Sequence, residues 1–76
     1  MKITALFFAD VREAMGKAEA PLELADNATV ADAWERAGGG RLQRKVLCAV
    51  NEEYTTQERV LRDGDVVAFF PPVTGG

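Results

Sequence analysis

Seventy-six residues with 47% hydrophobic content suit one compact domain, too apolar for disorder and too short for a second core. A net charge of −3 argues against nucleic acid, which selects basic faces, and no apolar run approaches the ~20 residues of a membrane span. With one cysteine and neither histidine nor serine, the chain cannot assemble an internal disulfide, a Cys/His zinc site or a Ser–His or Cys–His pair, so no metal and no self-contained catalysis are expected.

Met1 to Phe8 reads as a strand, with Ile3, Ala5 and Phe7 on one face and Lys2, Thr4, Leu6 and Phe8 on the other. It follows the first residue with no signal peptide, which predicts a cytoplasmic protein. Asp10 to Gly16 reads as a loop with a short helical turn. Lys17 to Leu24 supplies a second strand, and Pro21 predicts an edge position because proline cannot donate to a ladder. Thr29 to Ala37 is the clearest helix: Val30, Ala33, Trp34 and Ala37 form a buried stripe, and Thr29 with Asp32 resembles a capping box. Trp34 on that stripe is expected to anchor the core. Gly38-Gly39-Gly40 ends a helix rather than opening one and lacks the Lys-Ser/Thr of a phosphate loop, so it predicts a flexible connection. Arg41, Arg44 and Lys45 then make a small basic cluster on a solvated face.

Val46 to Val50 reads as a short buried strand, with Cys48 as a small core residue rather than a reactive thiol. Asn51-Glu52-Glu53 is a turn, Tyr54 to Thr56 a short returning strand, and Val60-Leu61 a local apolar anchor. Asp63-Gly64-Asp65 is a tight turn without the spaced acids of a calcium loop. Val66 to Phe70 is the last strand. The order is strand, strand, helix, strand, short strand, strand. It predicts an α+β, single-domain β-grasp: a mixed sheet covered on one face by one main helix. Both faces of the last strand are apolar, yet only one can meet the helix. Phe70 and Phe8 are therefore candidates for an exposed partner patch.

The ending carries the most function. Pro71-Pro72 stops the strand and ejects the chain, and residues 71–76 are expected to extend from a 1–70 domain by about 20 Å at most. Gly75-Gly76 has no side chain to block a narrow channel. The pattern points to a reactive terminal carboxylate.

Asp63-Gly64-Asp65-Val66-Val67-Ala68-Phe69-Phe70-Pro71-Pro72-Val73-Thr74-Gly75-Gly76 resembles the carboxy-terminal signature of the molybdopterin synthase small-subunit family. Leu6 to Glu13 resembles that family's first strand and turn, and Ala49-Val50-Asn51 its third-strand end. The resemblance implies a ubiquitin-like β-grasp acting as a sulfur carrier. It implies that an E1-like adenylating enzyme spends ATP to activate Gly76, that sulfur then gives a thiocarboxylate, and that the tail Pro71, Pro72, Val73, Thr74, Gly75 enters the large synthase subunit. There sulfur passes to a cyclic pterin precursor to build a dithiolene. It further implies a heterotetramer of two small and two large subunits, no cofactor held by this chain, and docking of both partners on Phe8, Tyr54 and Phe70. The glycine-rich stretch from Gly38 to Lys45 departs from the family pattern. A carrier for thiamine or cysteine synthesis, or a ubiquitin-like protein modifier, shares the Gly-Gly ending.

Overall fold

The computed structural model describes residues 1–43 and 45–72. Five strands and two helices follow one another as β1 (Lys2–Phe7), α1 (Ala9–Met15), β2 (Glu19–Glu23), α2 (Val30–Arg36), β3 (Leu47–Val50), β4 (Glu53–Thr55) and β5 (Val66–Phe70). They form one mixed sheet in the order β2-β1-β5-β3-β4. β5, last in sequence, sits at its centre, parallel to β1 and antiparallel to β3. This is the expected α+β arrangement, with one correction. The stretch after β1 is a seven-residue helix rather than a loop with a single turn, and it packs on β1 and β5. Val11 buries its apolar side, and Gly16 ends it in the left-handed region at φ 73°. Two short helices therefore share the cover expected of one.

Local chemistry explains the main boundaries. The Thr29 hydroxyl accepts from the Asp32 N–H at 3.3 Å, while the Thr29 N–H donates to Asp32 Oδ2 at 2.8 Å. This reciprocal box starts α2 at Val30. Pro21 lies exposed on the edge strand β2, opposite Thr4. The hairpin between β3 and β4 turns on Asn51 and Glu52, both with positive φ, while Glu53 already pairs with Val50. A two-residue turn of this hand matches strand twist.

Polar contacts pin the start of β5. Asp65 accepts from the Arg62 N–H at 2.8 Å and from Asn51 Nδ2 at 3.0 Å, and Asn51 Oδ1 accepts from the Val66 N–H at 3.0 Å. Asp63 accepts from the Lys2 N–H at 2.7 Å. A one-residue slip would exchange the two faces of the strand. These contacts therefore help fix Val67 and Phe69 toward the helices. Both are fully buried.

The core lies between the helices and this inner face. Phe7 and Phe69 stack with centroids 5.7 Å apart, and Trp34 meets Phe69 at 4.9 Å. Trp34 is the anchor its stripe predicts. The Val60-Leu61 pair divides: Leu61 is buried, whereas Val60 is half-exposed in an isolated bridge to Thr29.

Candidate functional site

The alternation that buries Phe69 turns Val66, Ala68 and Phe70 to the opposite face. Among the described residues no helix covers that face. Register brings Leu6 beside Ala68, Leu47 beside Phe70, and Ala49 beside both Ala68 and Tyr54. Ala49 is buried although it lies outside the main core cluster. Its flanking neighbours on the outer face shield it.

Three sequence-predicted partner residues belong to this side of the molecule. Phe70 is half-buried, and its ring meets Tyr54 edge-on at 5.7 Å. Tyr54 is 81% exposed, an unusual state for a large ring unless something packs on it. Phe8 is 48% exposed and caps α1 in an extended conformation. Its N–H donates to the Phe69 carbonyl at 3.1 Å, carrying the β1–β5 ladder one residue past the strand. That step brings Phe8 level with Phe70, and no ring pair among the described residues includes Phe8. Leu47 and Val66, each 38% exposed, enlarge the patch. Leu47 escaped the sequence reading because a run such as Val46 to Val50 looks uniformly buried. Only the β3–β5 register shows which of its residues face out.

Because β1 and β5 run parallel, Phe8 and Phe70 finish at the same end of the sheet. The chain therefore leaves from the middle of the sheet, at the edge of the apolar patch. Pro71 is half-buried and Pro72 exposed. Val73, Thr74, Gly75 and Gly76 lie outside the described residues, as does the expectation that the tail is extended.

A groove of about 430 Å³ opens on the helix side of the same exit. Its walls include Val11, Trp34, Val46 and Pro72, with Arg41 and Lys45 exposed along it. Gly39 lies over the Trp34 indole: a Cβ there would clash with Nε1 and Cε2 and come within 2.7 Å of Cδ2. The glycine run is thus a fitted cover at Gly39, beyond the plain connection expected. Arg44 lies outside the described residues.

The remaining candidate is Cys48. It is buried, and its thiol donates to the Thr55 carbonyl at 3.4 Å. Burial pushes the thiol above its ordinary range, and the Glu58 carboxylate adds to the effect. Both favour the neutral thiol, the opposite of an activated nucleophile. Among the described residues no cluster of His, Cys, Asp or Glu could hold a metal, and no helix is long and apolar enough to cross a membrane.

Residues 5–76 match the ThiS family over nearly the whole fold. The chain belongs to the ThiS family. This ThiS-family chain is 43% identical to the molybdopterin synthase sulfur carrier subunit of Escherichia coli, over 97% of its own length and 99% of that protein. Among solved structures, SAMP1 from Haloferax volcanii, a small archaeal modifier protein, superposes with a TM-score of 0.84 at 26% identity, with both chains fully covered. A putative molybdopterin converting factor subunit 1 from Pyrococcus furiosus superposes at 0.79 with 31% identity, covering 96% and 99% of the two chains. The ThiS-family fold is thus the ubiquitin-like β-grasp that the sequence predicted.

Proposed function

We propose that this chain is the sulfur carrier subunit of molybdopterin synthase. One observation carries the reading: the central strand ends at an exposed aromatic patch, and Pro71 and Pro72 follow it there, four residues before Gly76 in sequence. The 43% identity to a protein of that name supports the choice of pathway.

In this reading Gly76 provides the reacting group, as a terminal carboxylate. A carboxylate is a poor electrophile. An E1-like partner joins it to the AMP portion of ATP, releasing pyrophosphate. Sulfide-level sulfur delivered by a partner then attacks the acyl carbon, expels AMP and leaves a thiocarboxylate. Inside the large synthase subunit that sulfur bonds to an electrophilic carbon of the cyclic pterin precursor as an oxygen group leaves that carbon. Water then cleaves the acyl–sulfur bond, which leaves sulfur on the pterin and restores the carboxylate. The division of labour is physical. The carrier brings a tethered nucleophile whose effective concentration is set by docking, and the partner orients the electrophile and moves protons. Phe8, Tyr54 and Phe70 dock the partners in turn. The assembly is two small and two large subunits in the cytoplasm, and this chain holds no cofactor of its own.

Extending the chain by one residue tests the reading. The added residue converts the Gly76 carboxylate to an amide, which cannot be adenylated. It also moves the terminus by about 3.3–3.6 Å. Reconstituted synthase should form no product with this variant, while its fold and its docking to the large subunit stay unchanged. Product formation without trimming back to Gly76 would refute the reading. The likeness to a small archaeal modifier protein favours a second reading, attachment of Gly76 to substrate lysines. That reading predicts amide conjugates in place of thiocarboxylate.

A further inference from the structure

We propose that the groove at the root of the tail docks an acidic segment of the protein that receives the tail, through Arg41, Lys45 and the Trp34 indole. The proposal rests on the sulfur-carrier reading, in which that protein is the large synthase subunit.

Position is the first ground. The groove meets the uncovered sheet face along two covalent seams, Phe70–Pro71 and Val46–Leu47, and Pro71 and Pro72 line it. A protein that covers Phe70 and accepts the chain beyond Pro72 must pass over this opening. Charge is the second. The whole chain carries −3, yet among the described residues the charged ones lining the groove are Arg41 and Lys45 against Asp10. Among the described residues the opening is thus a local reversal of the protein's sign, and it would attract carboxylates that the net negative charge otherwise disfavours.

The third ground is a polar atom without a partner. Trp34 is 7% exposed, and its Nε1–H is buried with no hydrogen-bond partner among the described residues. A buried donor left unpaired is costly, and structures rarely keep one without a reason. Gly39 packs against this N–H, so that a Cβ on it would clash with Nε1, and both Gly39 and Trp34 line the groove; Gly39 stands between Gly38 and Gly40, at φ 101° and 69°. A small rotation of that glycine run would let an incoming carboxylate or carbonyl accept from Nε1. Arg41 and Lys45 would pair with the same acidic segment.

Trp34 is the chain's one tryptophan, so its indole N–H gives a single reporter resonance. The experiment titrates nitrogen-labelled carrier with unlabelled large subunit, at low and at high salt. Calorimetry supplies the affinity. Binding should move the indole resonance together with the Ala68 and Phe70 amides. The pair Arg41→Glu and Lys45→Glu should weaken binding about tenfold at low salt and flatten its salt dependence, since exposed pairs are screened. In that variant the indole resonance should stay still while the Ala68 and Phe70 amides continue to shift. Arg41→Gln with Lys45→Gln should fall between it and the parent. Affinity for the glutamate pair within twofold of the parent at low salt would overturn the proposal, as would an unmoved indole in the parent complex. Phe70→Asp separates the two readings. If it leaves binding intact, the sheet-face docking fails. If it abolishes binding while the glutamate pair does not weaken it, the groove proposal alone fails.

Discussion

Phe69 and Phe70 are adjacent, yet they should fail in opposite ways. Phe69 is fully buried between Phe7 and Trp34. Truncating such a ring to alanine costs about 3–5 kcal/mol. A domain of this size has only about 4–11 kcal/mol of total stability, so Phe69→Ala should remove much of it. At about 4–8 °C per kcal/mol, the melting temperature should fall by roughly 12–40 °C. Phe70 is half-buried, and its ring meets only Tyr54 among the aromatic pairs described. Losing that contact should cost about 1 kcal/mol, or about 4–8 °C. Binding should show the reverse order. An aromatic anchor at the centre of an interface contributes about 2 kcal/mol or more, so Phe70→Ala should weaken association with the large subunit about 30-fold. Circular dichroism melts and calorimetric titrations on both variants check the pair. A Phe70→Ala protein that melts as low as Phe69→Ala, or binds like the parent, would refute the assignment of faces.

Gly39→Ala should destabilise by about 1–3 kcal/mol, because its Cβ meets an indole already held against Phe7 and Phe69; a melt within 1 °C of the parent would show that the loop yields freely. Phe8→Asp should fold normally, since the ring is half-exposed, and should weaken binding to both the adenylating enzyme and the large subunit in pull-downs. Cys48 makes stability fall at alkaline pH. Its folded pKa is raised by burial and then by Glu58, so the folded state holds the proton longer. Its contribution is therefore complete below the unfolded value of about 8.5 and is lost as pH rises from there toward the raised folded value. Denaturation midpoints between pH 7 and 10 should fall more steeply for the parent than for Cys48→Ala; equal slopes would contradict this.

Much of this was legible because it depends on local chemistry. The apolar stripe and cap of α2, Pro21 on an edge, and the alternation of β5 each follow from neighbouring residues. So did Phe8 and Phe70, since an apolar strand face without a helix to meet it must face outward. The α1 helix was harder to read. Phe8 makes no side-chain cap to it, and Val11 is the one buried residue in its seven, so its periodicity is faint. Leu47 became visible only through pairing with β5, which lies about twenty residues away in sequence. The fit of Gly39 on Trp34 is a steric relation between a loop and a ring, and a glycine run carries no signal of what lies beneath it. The tail stood out for another reason: the Pro71-Pro72 break and the residues after it form a continuous motif that needs no tertiary contact to be read, and the chemistry proposed for it rests on that motif's resemblance to the family.

The most direct test of the account is the intact mass of this protein purified from its own cells, with fragmentation to locate any change. The account predicts a population in which one oxygen of the Gly76 carboxylate is replaced by sulfur. Its mass increase nearly equals that of methionine oxidation, so the change must map to the terminal fragment, and alkylation of the thiocarboxylate sulfur must shift that fragment by the mass of the alkyl group. Gly76 found only as an amide to lysines of other proteins, with no sulfur at the terminus under conditions of active cofactor synthesis, would contradict it.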